Sequence, residues 1–288
     1  VFNVAITAMF IPCGKWILKF AETVVPDRKK SKSKKTDVFT LDERLLRSPS
    51  VAINECSSCT VKMAELSQKT LISAMQMFKK YDKTEKENIL QNETKIDKME
   101  DLLGSYLVKL SAQALSVSDS RSISKMLHTI GDFERLSDHA VNLLKAATEI
   151  HDKGLQFSKK ASAETALLSD AVTEILGLTM EAYKKNDADL AAKVEPLEQV
   201  IDRLTAKIKS NHIERLQSGA CTIEMGFILS DMLNNFERIS DHCSNIAVAV
   251  IELIHGSFDT HKYLTGVKYG DDEFNRDYES YKEKYALA

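Results

Sequence analysis

Glu134-Arg-Leu-Ser-Asp-His139 recurs further along the chain as Glu237-Arg-Ile-Ser-Asp-His242, with five of six positions identical and Leu exchanged for Ile at the sixth. A second motif repeats in the same order, because Glu93-Thr-Lys-Ile-Asp97 is matched by Glu198-Gln-Val-Ile-Asp202. The two offsets are 103 and 105 residues. Self-similarity at a nearly fixed period marks an internal repeat. The body of the chain is therefore predicted to contain two copies of one unit, each roughly one hundred residues long.

Each unit is predicted to consist of three helices. The 288 residues contain only four prolines, and Ala, Leu, Lys, Glu and Met dominate between residues 50 and 195, a composition that favours long helices. Turn residues then divide the chain into helices at 50–81, 84–116, 120–152, 160–185, 187–217 and 220–255. Pro196 is expected to kink or begin the middle helix of the second unit. The predicted fold class is all-α, with two tandem three-helix bundles at residues 50–155 and 156–256.

All four repeated motifs contain two carboxylates at positions i and i+4, which share one helical face. The eight candidate metal ligands are Glu93, Asp97, Glu134, Asp138, Glu198, Asp202, Glu237 and Asp241. Like charges at this spacing repel by a few tenths of a kcal/mol unless a cation offsets them, and a hard or borderline metal ion is the simplest such cation. A solvated acidic face, or pairing with Arg135, Arg203 and Arg238, is the alternative.

A histidine follows the aspartate of each third-helix motif directly, at His139 and His242. Neighbouring residues point about 100° apart around a helix, so these rings could serve as outer or occasional metal ligands. Packing or capping at the edge of the motif is the favoured interpretation.

The first 37 residues are basic and the remainder is acidic, with net charges of +5 and -8. Val1–Ile11 is almost entirely apolar, and Trp16 and a run of lysines follow it. This order is typical of the inner end of a membrane helix. We therefore expect residues 1–25 to end a transmembrane helix that began upstream, and residues 26–49 to form a basic linker. The expected location is the cell membrane, with residues after about 26 on the cytoplasmic side and residues 257–288 as an acidic tail.

Charge and cysteine content exclude two classes of protein. Nucleic-acid binding requires a cationic face that neutralises phosphates, and the acidic body argues against such a partner. The five cysteines are odd in number and lack the regular spacing of a secreted disulfide scaffold. Cys56 and Cys59 form a single C-x-x-C, without a second pair or a thioredoxin-like context, so they are interpreted as helix-packing residues.

In its repeated carboxylate motifs the sequence resembles the PhoU family, whose members contain two three-helix repeats with E/D-x-x-x-D motifs. The segment Glu237-Arg-Ile-Ser-Asp-His-Cys-Ser-Asn-Ile246 is similar to the third-helix pattern of that family, and the resemblance covers residues 50–255. It implies clusters of iron, zinc, magnesium or manganese on the carboxylate faces, and a part in phosphate homeostasis. Thr205 stands where the first unit has Glu100, and Asn235 where it has Asp132, so the second site is expected to be the weaker one.

The head adds a narrower resemblance. Phe2-Asn3, Pro26-Asp27 and the segment from Leu41 to Ala52 are similar to the junction in bacterial Na/Pi cotransporter family proteins, which carry a PhoU-like domain after their membrane domain. The partners this implies are the chain's own transmembrane transporter domain and inorganic phosphate held through bound metal. The sequence leaves a homodimer open.

Three functions compete. The first is a metal-binding regulatory domain of a sodium-dependent phosphate transporter, which is not an enzyme. The second is a di-iron carboxylate enzyme, which needs two Glu-x-x-His motifs in a helical bundle; only Glu252-Leu-Ile-His255 fits that pattern here. The third is a metal-free interaction module whose acidic faces bind a basic partner. The first is favoured.

Overall fold

The structure is a computed structural model that describes residues 40–255 and 272–287, and in these residues the chain forms helices and turns without a strand. A short 3-10 helix at Glu43–Arg47 comes first. The α-helices that follow are α1 Pro49–Gln76, α2 Lys83–Ser111, α3 Val117–Lys153, α4 Lys159–Lys185, α5 Ala188–Ala192, α6 Val194–Gln217, α7 Ile223–His255 and α8 Asp272–Lys284.

Short polar side chains and left-handed residues define the ends of the helices. The Asp82 side chain accepts hydrogen bonds from the backbone N–H groups of Thr84 and Glu85, which caps the start of α2. Gly154 and Asn186 end α3 and α4 in the left-handed conformation, with φ of 64° and 51°. The sequence predicted turns at these positions and at Gly219; Gly256 lies outside the described residues.

Some predicted boundaries differ from the observed ones. Helix α1 ends at Gln76 and α2 at Ser111, each five residues before its predicted end. Helix α3 begins at Val117, because Ser116 caps it by accepting from the N–H of Asp119. The middle helix of the second repeat is divided into α5 and α6, and Pro196 lies in the first turn of α6, where a missing N–H costs nothing.

The helices form two bundles that share an interface. Helices α1, α2 and α3 pack on one another, and so do α4, α6 and α7. Helix α3 also packs along α7, and α1 packs against α4. Lys153 at the end of α3 forms an ion pair with Glu224 at the start of α7, while Asp132 contacts His242 further along. The two helices are therefore antiparallel, and both repeats belong to one compact unit that begins at Leu41.

The same apolar stripe is buried on α3 and on α7. The seven pairs of equivalent residues, separated by 103 positions, are Met126 and Leu229, Ile130 and Leu233, Phe133 and Phe236, Leu136 and Ile239, Ala140 and Cys243, Leu143 and Ile246, and Ala147 and Val250. Every one of them is buried. The duplication seen in the sequence is thus a duplication of the core.

The start of α7 lies outside the buried stripe. Ile223 and Phe227 are apolar, but they are 73% and 70% exposed. The step from Phe227 to Met232 is five residues, which breaks the helical spacing of three or four. Met225 and Leu229 continue the spacing toward the amino end instead, and both are buried.

Cys56 and Cys59 behave as core residues, as predicted, and so does Cys243, whereas Cys221 is only partly buried. Cys56, Cys59 and Cys243 are buried and free of disulfides. Burial raises the pKa of Cys56 and Cys243 to about 12 and that of Cys59 to about 11, so these thiols stay protonated and inert near neutral pH.

The segment expected to be only an acidic tail contains an ordered helix. Helix α8 packs against α6 and buries Phe274 and Tyr278. The Arg203 guanidinium lies 5.0 Å from the ring centre of Tyr278, and Lys284 forms an ion pair with Glu174 of α4 at 2.7 Å. The apolar spacing of four residues within a strongly charged stretch could have predicted this amphipathic helix.

None of the helices in the described ranges, 40–255 and 272–287, is long and apolar enough to cross a membrane. The expected transmembrane segment at residues 1–25 lies outside these ranges, as does most of the expected linker.

We predict that Phe133→Ala and Phe236→Ala each lower the free energy of unfolding by about 3–5 kcal/mol, because each removes a fully buried ring and leaves a cavity. Phe227→Ala is the matched control and should change stability by less than about 0.5 kcal/mol, since that ring is exposed. Urea unfolding followed by circular dichroism measures all three. Equal effects at positions 133 and 227 would contradict the assigned core.

Candidate metal centre

Three of the predicted carboxylates meet in the second repeat. Glu198 and Asp202 lie one turn apart on α6, and Asp241 faces them from α7. One carboxylate oxygen from each lies within 4.8 Å of the other two. Because α6 packs against α7, side chains far apart in the sequence converge on one point. Three oxygen donors at this separation are close enough to bind one cation together.

The fourth predicted ligand of this repeat, Glu237, has a protein partner. Its Oε2 accepts a hydrogen bond from the Lys209 ammonium at 2.8 Å. Lys209 lies on α6, seven residues after Asp202. Glu237 therefore belongs to the edge of the cluster, where a lysine compensates its charge.

Arginine pairing, the alternative considered from the sequence, is weak at this cluster. Arg238 contacts Asp241 at 3.3 Å, but its side chain is 70% exposed. Surface ion pairs of this kind contribute between zero and about 1 kcal/mol. The arginine leaves the Asp241 carboxylate accessible for another cation.

The crowding of acids is reflected in their titration. Partial burial, followed by the nearby carboxylates of Glu237 and Asp241, raises the pKa of Asp202 to about 6. In the first repeat, burial and the adjacent Asp138 raise the pKa of Glu134 to about 7. Burial together with Asp101 and Asp97 also raises the pKa of Glu100. Burial is the larger cause in each case, and the neighbouring carboxylates add to it.

The first repeat is less tightly assembled. Asp97 on α2 is near enough to Glu134 on α3 to raise the pKa of that carboxyl. Glu93 accepts a hydrogen bond from its neighbour Thr94 at 3.3 Å. Within the described residues, only Glu198, Asp202 and Asp241 form a set of three with metal-ligand spacing. The distances thus make the carboxylate cluster of the second repeat the more compact one, whereas the sequence predicted the weaker site there.

The two substitutions noted between the repeats have different roles. Thr205, which replaces Glu100, is buried beside the core and contributes no carboxylate. Asn235, which replaces Asp132, accepts a hydrogen bond at Oδ1 from His139 Nδ1 at 2.8 Å. In the reverse direction, His242 contacts Asp132 at 2.8 Å.

These contacts settle the position of the two histidines. Each ring lies at the α3–α7 interface and bonds to the other repeat, so packing at the edge of the motif is the better of the two interpretations. The ring centres are 5.5 Å apart. Sequence reasoning missed the roles of Asp132 and Asn235, although their common offset of 103 residues was a usable signal.

Comparison with known proteins gives the family. The model of the PhoU domain matches residues 60–147 and 165–250, which together make up more than half of the chain. These two segments coincide with the two repeats. The chain belongs to the PhoU domain family.

Relatives and solved structures are similar over most of their length. The chain is 23% identical over 215 residues to the phosphate-specific transport system accessory protein PhoU homolog 1 of Thermotoga maritima, across 73% of this chain and 90% of the relative. For the corresponding PhoU homolog of Pseudomonas aeruginosa the identity is 24% over 217 residues, across 75% and 89%.

Two crystal structures share the fold. PhoU from Pseudomonas aeruginosa superimposes with a TM-score of 0.67 at 22% identity, covering 74% of this chain and 100% of that one. The phosphate transport system regulatory protein PhoU from Streptococcus pneumoniae gives 0.65 at 19% identity, covering 73% and 98%. The all-helical prediction is confirmed.

The expected cell-membrane location is wrong. The relatives and structures named above are PhoU proteins, and they align with nearly their whole length. The helices of the described residues include none that could span a membrane. The expectation rested on the hydropathy of residues 1–25, which lie outside the described residues and outside the match to the family.

We predict that metal-free protein loses stability as pH rises from about 4.5 to 7, and that Glu134→Gln loses less. The pKa of Glu134 is about 7 in the folded state and 4.5 in the unfolded state, so folding favours the protonated carboxyl. The contribution of this carboxyl to the free energy of unfolding is therefore present at low pH and lost as the group ionises. Allowing for solvent screening, the difference should be on the order of 1 kcal/mol at pH 8. Glu214→Gln, an exposed glutamate on α6, is the control. Urea unfolding in EDTA at several pH values measures this difference in stability. Parallel plots of stability against pH for the unmodified protein, Glu134→Gln and Glu214→Gln would contradict the assigned pKa.

Proposed function

We propose that this chain is a PhoU-type regulatory protein of phosphate transport that acts by binding metal ions rather than by catalysis. Family membership and the names of the relatives, which are accessory or regulatory proteins of phosphate transport systems, support the role in transport. The observation that carries the metal proposal is the convergence of Glu198, Asp202 and Asp241.

The donor set fits a hard or borderline cation. All three donors are carboxylate oxygens, which suit magnesium and manganese and are also found as ligands of iron and zinc. Residues Glu198, Asp202 and Asp241 would hold the ion in the second repeat, with Glu237 at the edge. Asp97, Glu134 and Asp138 would hold it in the first, with Glu93 beside them.

Bound metal would supply concentrated positive charge and coordination positions that inorganic phosphate can occupy. The protein's own part is to hold several acids close together in the absence of that charge, which makes the domain responsive to cation supply. A regulator can bias a transporter only if it binds differently in two states, and cation occupancy is the input proposed here.

The proposed partner is a phosphate transporter. The resemblance carried by residues up to Ala52 favours the sodium-dependent class. A metal-free interaction module is the second candidate, favoured by the Lys209–Glu237 pair, which shows that a basic side chain can serve as the counter-charge.

We predict that Glu198→Gln, Asp202→Asn and Asp241→Asn each weaken Mn²⁺ binding at least about tenfold, since each removes one donor of a three-oxygen set. Glu214→Gln on α6 and Asp231→Asn on α7 are matched controls, because both carboxylates are exposed. Calorimetric titration with Mn²⁺ measures the affinity, and elemental analysis of protein purified without an affinity metal identifies the resident ion. Binding equal to that of the controls in all three variants would favour the metal-free module.

In cells, the double variant Asp138→Ala, Asp241→Ala should alter phosphate uptake, because it removes one aspartate from each carboxylate cluster. Asp231→Asn should leave uptake unchanged. Uptake of labelled phosphate over a range of external concentrations measures the effect. Identical uptake curves for the double variant and the control would refute a regulatory role for these clusters.

A further inference from the structure

Two reciprocal hydrogen bonds join the repeats in the middle of the α3–α7 interface. His242 Nδ1 lies 2.8 Å from Asp132 Oδ1, and His139 Nδ1 lies 2.8 Å from Asn235 Oδ1. Asn245 adds a weaker bond to Asp132 at 3.4 Å. Each histidine therefore binds a residue that belongs to the other repeat.

These bonds involve the segments that carry the carboxylates. His242 directly follows Asp241 and His139 directly follows Asp138, while Asp132 precedes Glu134 by two residues. One short helical segment on each side thus contains both a proposed metal ligand and an anchor to the opposite repeat.

The environment makes the Asp132–His242 bond a strong constraint. Their side chains are only 15% and 16% exposed, whereas the Arg238–Asp241 pair nearby is largely solvated. Removing one partner of a buried hydrogen bond leaves the other unsatisfied and destabilises the packing around it. The register of α7 against α3 at Asp241 consequently depends on Asp132, because the Arg238–Asp241 pair lies within α7 and joins no other helix.

We propose that Asp132, in the first repeat, is a positioning residue for the metal cluster of the second repeat, and that Asn235 serves the first repeat in the same way. This inference rests on the proposed metal-binding function. Asp132 holds the His242 ring, the ring fixes the α7 segment that carries Asp241, and Asp241 completes the three-oxygen set with Glu198 and Asp202. The two clusters are linked through the α3–α7 interface.

The test compares Asp132→Ala with Asp132→Asn in an Asp97→Asn background, so that Mn²⁺ binding reports mainly on the second repeat. The asparagine keeps the Oδ1 acceptor, as Asn235 already does for His139. We expect Asp132→Ala to weaken Mn²⁺ binding about tenfold, the upper-range effect of losing a residue that orients a ligand. Asp132→Asn should stay within about twofold.

Leu176→Ala, a buried position on α4, controls for general destabilisation, and urea unfolding of every variant provides the comparison. An equal loss of Mn²⁺ affinity in Leu176→Ala and Asp132→Ala would overturn the positioning role, and so would an equal loss in Asp132→Asn. If Glu198→Gln loses Mn²⁺ and Asp132→Ala does not, the link between repeats fails while the metal site stands. If neither loses it, the metal-binding function fails as well.

Discussion

The antiparallel contact between α3 and α7 is the constraint on which the rest of the molecule depends. Each helix presents the same buried stripe, with Phe133 on one side and Phe236 at the equivalent position on the other. Apolar stripes alone tolerate sliding by a turn, because one Leu or Ile packs much like another. The two histidine bonds do not tolerate it, since a slip would leave four half-buried polar groups without partners.

Once α3 and α7 are fixed, the carboxylates have little freedom. The inward faces of both helices are occupied by core residues, so the acidic pairs project toward α2 in the first repeat and toward α6 in the second. There they meet the acids of the middle helices, and burial, followed by the neighbouring carboxylates, raises the pKa of Asp202 and of Glu134. A packed helical scaffold holds these charges together at a cost in stability, which is typical of functional sites.

The repeat and the all-helical fold could be predicted because each depends on local spacing and on identity between two copies, whereas the role of the eight carboxylates as metal ligands stays a prediction. The break between α5 and α6 was partly predictable from Pro196, which needs a first-turn position. Helix α8 was missed because its net charge concealed the apolar spacing of Phe274 and Tyr278. Which carboxylates converge could not be predicted, since this depends on the packing of α6 against α7 and on the reach of Lys209.

The duplication preserved the scaffold but not the charge of the two sites. At an offset of 105 residues, Lys209 corresponds to Gly104 and Thr205 to Glu100. The second repeat thus has a lysine bound to Glu237 and one acid fewer, whereas the first has Glu100 and no side chain at position 104. Burial, followed by the adjacent Asp138, raises the pKa of Glu134, the counterpart of Glu237, to about 7. In the second repeat three carboxylate oxygens still come together, although burial and the neighbouring acids raise the pKa of Asp202 to about 6. The two carboxylate clusters therefore differ in their number of acids and in their local counter-charge, and the histidine bonds between α3 and α7 connect them.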